Sequence, residues 1–202
     1  GRALQRANSV ARANHEWFHK FCNRKVQKGP LTSKLQHPTV SDEIIVSRKP
    51  TGTLVLRDLR PGRTLYMLAS GTGLAPFLSL IQDPETYERF EKVILVHSVR
   101  TVDELAYRDF ISDELTRHEY FAEMVRDTLT YYPTVTREPF QNRGRITDLI
   151  ESGKLFADID LPPLDPAHDR VMICGSPHMI RDCCALLDAR GFEVSPHIGA
   201  QG

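Results

Sequence analysis

From residue 60 onward, short apolar runs alternate with segments of helical character. The run at residues 92–97 is rich in Val, Ile and Leu, which is typical of a strand that is buried on both faces of a parallel sheet. Four strands are predicted in this way: residues 64–69, 92–97, 129–135 and 170–174. Helices are predicted over residues 74–81, 103–117 and 177–189. Strands that alternate with helices predict an α/β fold with a doubly wound parallel sheet.

Two residues refine this prediction. Pro133 lacks a backbone N–H, so its strand is expected to lie at an edge of the sheet or to end there. Gly191 follows the last predicted helix and is expected to stop it.

Residues 1–59 have a different pattern. Short β-favouring runs at residues 43–47 and 53–56 are separated by turn signals such as Gly29-Pro30 and Lys49-Pro50. They predict antiparallel β structure, but with too few strands to close a barrel. We therefore divide the chain into a partial β domain of residues 1–59 and an α/β domain of residues 60–202.

Composition narrows the function classes. The 202 residues include 26 Lys and Arg and 26 Asp and Glu, and this zero net charge argues against a general nucleic-acid binder. No apolar run approaches the roughly 20 residues that cross a membrane. The four cysteines form no CxxC pair, so we expect reduced thiols, no metal site and a cytoplasmic location. The sequence does not determine the oligomeric state.

Two glycine-bearing turns follow predicted strands and precede predicted helices. In Ser70-Gly71-Thr72-Gly73, the glycines allow a close backbone approach, and the following helix start favours a phosphate. A plain strand–helix turn explains this short motif equally well. The second turn, Cys174-Gly175-Ser176-Pro177, lies at another strand end, where open α/β sheets bind ligands. Cys174 on its own is more typical of a small buried core residue than of a reactive thiol.

Arginines form the third feature. Arg100 follows one strand, Arg137 follows another, and Arg143 and Arg145 lie close behind. Guanidinium groups suit the phosphate dianion of NADP. The alternative for each arginine is an ordinary solvated surface position.

These motifs occur in an order and spacing that resemble the NADP(H) domain of bacterial ferredoxin–NADP+ reductases. The similarity includes LASGTGLAPF, VHSVR, TRE followed by GRIT, and CGSP, and it extends over residues 24–202. It implies that Gly71, Thr72 and Gly73 border the pyrophosphate and nicotinamide path. It also implies that Arg100, Thr136, Arg137 and Arg145 surround the 2′-phosphate. Cys174, Gly175, Ser176 and Pro177 would form the turn beside the nicotinamide.

The resemblance also assigns residues to FAD. Arg6-Ala7-Asn8-Ser9 stands where the family has Arg-x-Tyr-Ser, so Arg6 would contact the pyrophosphate and Ser9 would lie near flavin N5. Asn8 replaces the tyrosine that packs on the flavin ring. The remaining FAD residues implied by the resemblance are Lys25, Gly29, Leu31, Thr32 and Ser33. Strands before residue 6 and a stretch after residue 202 are absent relative to the family, so we expect weak FAD binding or none.

The function that this resemblance implies is electron transfer between NADP(H) and ferredoxin or flavodoxin through FAD. Ser9 and Cys174 would flank the transfer site, and neither is expected to act as an acid or base. Two alternatives remain open. One is an incomplete NADP(H)-binding module without turnover, and the other is a related flavoprotein reductase with a different electron acceptor.

Overall fold

The computed structural model describes residues 11, 21, 31–35, 37–44, 46 and 52–195. Four parallel strands form one sheet in the order β3-β2-β1-β4. Their bounds are β1 Thr64–Ser70, β2 Lys92–Val99, β3 Leu129–Val135 and β4 Asp169–Cys174. All four predicted strands are confirmed. The strand that contains Pro133 is an edge strand of this sheet, as its missing N–H predicts.

Helices cover both faces of the sheet. Their bounds are α1 Thr32–Leu35, α2 Leu74–Leu80, α3 Pro84–Arg89, α4 Ala122–Thr128, α5 Ile146–Glu151, α6 Lys154–Ile159 and α7 Pro177–Asp188. On one face, Met67 and Leu95 pack with Phe77 of α2. On the other face, Leu68 and Val96 pack in the core that also holds residues of α5, α6 and α7. Alternate strand residues therefore enter two separate cores, which confirms the doubly wound α/β fold.

The segment after β2 differs from its prediction. A single helix over residues 103–117 is expected, but the chain forms a 3-10 turn at Val102–Glu104, a π-helical segment at Phe110–Glu114 and another 3-10 turn at Leu115–Arg117. Tyr107 interrupts the helical path because its φ is +65°. Leu105 packs with Val99 and Val135, whereas Ile111 and Leu115 enter the core on the α2 face. One straight helix cannot place Leu105 in the first of these cores and Ile111 and Leu115 in the second.

The predicted strand at residues 53–56 is wrong. Residues 52–55 have no strand pairing, and a 3-10 turn begins at Leu56. Leu54 and Leu56 pack instead against the core on the α2 face. The described residues of the predicted run at 43–47 (43, 44 and 46) are also unpaired. The β-barrel assignment of residues 1–59 stays a prediction, since most of that segment lies outside the described residues.

Within the described ranges, no helix combines the length and apolar content that crossing a bilayer requires.

Candidate functional site

The strand order creates a crevice between β1 and β4. The chain adds β2 and β3 on one side of β1 and then places β4 on the other side. Because the strands are parallel, their carboxyl ends share one edge of the sheet. Ligands of open α/β sheets bind at such a switch point, outside the carboxyl ends of the strands.

The two glycine turns touch each other at this crevice. A Cβ atom built on Gly73 would lie 2.1 Å from the Cys174 carbonyl oxygen, and one built on Gly175 would lie 2.1 Å from Ser70 Oγ. Gly73 has φ −62°, which is an ordinary helical value. Glycine is therefore required at this position because a side chain would not fit, and not because of an unusual backbone conformation. Ser70 Oγ also accepts a hydrogen bond of 3.0 Å from the Ser176 amide. The ends of β1 and β4 are thereby locked together.

The first turn runs directly into α2. Gly71–Gly73 forms a 3-10 turn whose Gly71 carbonyl accepts a hydrogen bond from the Leu74 amide. Gly71 has φ +53°, and Gly71 and Thr72 are exposed. The first amides of a helical segment have no helical acceptor. They carry the positive end of the backbone dipoles, which suits an anion.

A buried histidine lies beneath this turn. His97 of β2 is 1% exposed. Its Nε2 lies 3.3 Å from the Gly71 carbonyl oxygen, and its Nδ1 lies 3.2 Å from the Tyr131 hydroxyl oxygen. A carbonyl only accepts, so Nε2 carries the proton and Nδ1 accepts from Tyr131. Burial lowers the pKa of His97 to about 4, against a smaller opposing contribution from the Gly71 carbonyl, so the ring is neutral at physiological pH.

The second turn caps α7. Ser176 Oγ accepts a hydrogen bond of 3.3 Å from the Met179 amide, and Pro177 occupies the first helical turn. This arrangement is favourable at a helix N-terminus. His178 and Asp182 follow on the same helix, with 2.8 Å between Nδ1 and Oδ2. Both side chains line the crevice together with Met179.

The loops after β2 and β3 are joined through their backbones. The Arg137 amide donates to the Arg100 carbonyl at 2.9 Å, and the Arg100 amide donates to Glu104 Oε2 at 3.0 Å. Glu138 accepts from the Val102 amide in the same way. These hydrogen bonds therefore fix the position of the Arg100 backbone relative to the Arg137 backbone.

The segment after β3 turns back on its own strand. The Val135 amide donates to the Asn142 carbonyl at 3.0 Å, and the Gly144 amide donates to the Val135 carbonyl at 3.2 Å. Thr134 Oγ1 donates to the Gly144 carbonyl at 2.9 Å. This return places Arg143 and Arg145 beside the loops that hold Arg100 and Arg137.

These parts line one groove of about 900 Å³, a volume in the upper range of small-molecule sites. The predicted site residues that line it are Gly71, Thr72, Arg100, Thr136, Arg137, Arg145, Gly175 and Ser176. Arg143 also lines it. The four arginines are exposed, and no carboxylate in the described part of the chain forms an ion pair with any of them.

Three predicted residues do not line this groove. Gly73 is buried beneath the first turn, and Pro177 is exposed in the first turn of α7. Cys174 is partly buried and packs against the core on the α2 face. Burial raises the pKa of the Cys174 thiol, so the protonated form is favoured over the nucleophilic thiolate.

Most residues assigned to FAD lie outside the described residues: Arg6, Asn8, Ser9, Lys25 and Gly29. Leu31 is partly buried in a turn, and Thr32 and Ser33 begin α1. Neither Leu31 nor Ser33 lines the groove.

Sequence reasoning missed several groove residues, namely His97, Glu104, Thr147, Asp148, His178 and Asp182. The sequence places His97 only within an apolar strand, and its register with Ala69, next to the glycine turn, is a property of the folded sheet. Spacing signals exist for two of the others: Glu104 lies four residues after Arg100, and His178 lies four residues before Asp182.

Comparison with known proteins gives consistent matches. The family model of the oxidoreductase NAD-binding domain matches residues 67–185. A ferredoxin–NADP reductase from Azotobacter vinelandii is 61% identical over 202 residues, which is 100% of this chain and 78% of that protein. A flavodoxin/ferredoxin–NADP reductase from Rhodobacter capsulatus is 45% identical over 193 residues, covering 96% of this chain and 72% of that protein. Among solved structures, a ferredoxin NADP+ reductase from Neisseria gonorrhoeae with bound FAD and NADP is similar at TM-score 0.84 and 30% identity, covering 97% of this chain and 77% of that one.

Proposed function

The chain belongs to the ferredoxin–NADP reductase family, and we propose that its groove binds NADP(H) during electron transfer with ferredoxin through FAD. The family and its oxidoreductase chemistry follow from the relatives that match nearly the whole chain.

The observation that carries the proposal is the set of four arginines without ion-pair partners among the described residues. Arg100, Arg137, Arg143 and Arg145 line one groove, and none of them forms an ion pair with a described residue, although three carboxylates also line it: Glu104, Asp148 and Asp182. A 2′-phosphate dianion supplies the missing countercharge, and guanidinium groups match its oxygens in pairs. The adenosine end of NADP(H) would therefore lie at the ends of β2 and β3.

The opposite end of the groove fits the rest of the dinucleotide. The exposed amides at Gly71 and Thr72 and the capped start of α7 suit pyrophosphate oxygens. Gly73 and Gly175 let the two turns pack against each other without a side chain between them, and Gly175 and Ser176 line the groove at that point. We place the nicotinamide beside the turn of Cys174 and Gly175, with Ser176 and Pro177 continuing that surface.

The chemistry divides between the cofactor and the chain. FAD supplies the exchange between two-electron hydride chemistry and single-electron transfer. The chain binds and orients the dinucleotide and excludes water from the crevice. Cys174 keeps its proton and serves as a packing surface, and we assign no acid–base step to Cys174 or Ser9. The FAD contacts assigned to Arg6, Ser9 and Lys25 remain predictions of the sequence.

The electron-transfer partner of this family is ferredoxin. We further propose that flavodoxin serves as an alternative partner, which is supported by the name of the Rhodobacter capsulatus relative. We place the protein in the cytoplasm because the dinucleotide that its groove fits is found there, and because its described cysteines are free.

The test is a calorimetric titration of the purified chain with NADP+ and NAD+ at one salt concentration. We expect NADP+ to bind far more tightly. Arg137→Ala is expected to weaken NADP+ binding by about 10- to 100-fold, because a charge-assisted hydrogen bond is worth roughly 1.5–3 kcal/mol. Arg57→Ala is the matched control, since Arg57 is exposed and does not line the groove. Equal affinities for NADP+ and NAD+ would rule the proposal out.

A further inference from the structure

The hydrogen bond from His97 to Gly71 fixes the direction of one peptide group. The Gly71 carbonyl points inward, toward His97 Nε2 at 3.3 Å. In a trans peptide, the C=O and the following N–H point in opposite directions, and the described chain has no cis peptide bond. The Thr72 amide therefore points away from His97, and Thr72 is exposed at the groove.

The backbone conformation of Gly71 does not by itself select this orientation. Glycine populates positive and negative φ almost equally, and a side chain at Gly71 would meet nothing within 4 Å. A peptide flanked by such a residue can rotate unless its carbonyl is held. The Leu74 amide holds it along the helix axis, and His97 holds it from the sheet.

The histidine is itself held in one tautomer. Tyr131 lies on the neighbouring edge strand β3, and its hydroxyl donates to His97 Nδ1 across 3.2 Å. The Gly71 carbonyl can only accept, so the neutral ring keeps its proton on Nε2, and Tyr131 satisfies the remaining lone pair on Nδ1. Burial lowers the pKa of His97 to about 4, so this arrangement persists through neutral pH.

We propose that His97 is a positioning residue that turns the Thr72 amide toward a phosphate oxygen of the bound dinucleotide, with Tyr131 supporting its Nε2–H tautomer. This inference rests on the proposed NADP(H) site. The buried imidazole would thereby raise the affinity for the dinucleotide without touching it.

The test compares three variants by NADP+ titration. His97→Leu removes the donor and is expected to weaken NADP+ binding about three- to tenfold, the range for one hydrogen bond. His97→Gln keeps an N–H donor near the position of Nε2 and is expected to retain affinity within about twofold. Tyr131→Phe removes the hydrogen bond to Nδ1 and so leaves the tautomer less firmly held, and an intermediate loss of NADP+ affinity is expected.

Tyr132→Phe is the matched control. Tyr132 is the next residue of β3, and its hydroxyl donates to Asp158 at 2.5 Å in the opposite core. This variant is expected to lower stability while leaving NADP+ affinity unchanged. A purely structural role of His97 would instead make affinity follow stability in all four variants, and that result would overturn the inference.

A measurement on the unmodified protein does not depend on the folding of any variant. Nitrogen-15 spectra of His97 are expected to show the Nε2–H tautomer, and the Thr72 amide signal is expected to shift on addition of NADP+. An Nδ1–H tautomer, or an unperturbed Thr72 amide in a protein that binds NADP+, would overturn the inference. Arg137→Ala run in parallel separates the two proposals: if it weakens NADP+ binding while His97→Leu does not, the NADP(H) site stands and the role of His97 fails.

Discussion

Replacing Gly73 by alanine tests how tightly the two glycine turns pack. The new Cβ would lie 2.1 Å from the Cys174 carbonyl oxygen, 2.4 Å from its carbon and 2.7 Å from Gly175 Cα. All three atoms are backbone, at the end of a strand that pairs with β1 as far as Ala69 and Cys174. No side-chain rotation can relieve the overlap, so the carboxyl ends of β1 and β4 must separate by roughly 1 Å.

The expected cost is about 3 kcal/mol of the free energy of unfolding, at the upper end of the range for overpacking a core. Backbone conformation does not contribute, because Gly73 has φ −62°, which alanine adopts without strain. Alanine at such a site would by itself stabilise by about 0.4–1 kcal/mol. A measured loss therefore understates the steric cost by about 0.4–1 kcal/mol.

Urea denaturation of three variants measures this cost. Gly71→Ala has open space around its Cβ but φ +53°, so about 1–2 kcal/mol of conformational strain is expected. Gly52→Ala has open space and no positive φ, and a change within about 0.5 kcal/mol is expected. If Gly73→Ala were as stable as Gly52→Ala, the close contact between the turns would not exist and the argument for this glycine would be wrong.

Three further predictions concern other parts of the chain. The folded pKa of His97 is about 4 and its unfolded pKa is 6.5, so its contribution to stability is complete above pH 6.5 and falls by about 3 kcal/mol as the pH drops to 4. Urea titrations at pH 7.5 and 5 should therefore show a larger loss of unfolding free energy for wild type than for His97→Gln, and equal losses would contradict this. Cys174→Ser is expected to slow hydride transfer in stopped-flow measurements while NADP+ affinity stays nearly constant, whereas trapping of a covalent adduct on Cys174 would contradict its packing role. Asn8→Tyr is expected to tighten FAD binding by about 5- to 100-fold, by analogy with aromatic stacking of bases; flavin fluorescence quenching that is equal in both proteins would refute the assignment of Asn8.

The two central strands β1 and β2 were predictable from the sequence because they are buried on both faces and consist largely of apolar residues. The edge strands β3 and β4 are only partly buried, but their β-favouring residues also predicted them. Pro133 even placed its strand at the edge, since a missing N–H is tolerated there. The helix α3 was predictable in principle, because Asp83 caps it through the Glu85 amide and Pro84 begins it. These features depend on neighbours in the chain, which a single sequence contains.

The remaining features depend on tertiary contacts. Tyr107 breaks the helix after β2 because Leu105 and Ile111 enter different cores, and no local pattern indicates that division. The arginines were identified as a set, but the return of residues 136–145 onto β3 decides that they share a groove. His97 was hidden for the same reason: its partners Gly71 and Tyr131 are 26 and 34 residues away.

The return of the arginine-bearing segment onto β3 also protects the molecule from association with itself. An edge strand exposes backbone groups that can recruit a strand from another chain. Here Pro133 has no N–H, its carbonyl accepts from Asn142 Nδ2 at 3.1 Å, and the Val135 amide and carbonyl are both occupied by residues 142 and 144. The carboxyl half of this edge is therefore closed to an incoming strand. Substitutions that loosen residues 136–145 would expose that edge, so the solubility of the protein constrains the same ten residues that hold three of the four arginines proposed to bind the phosphate.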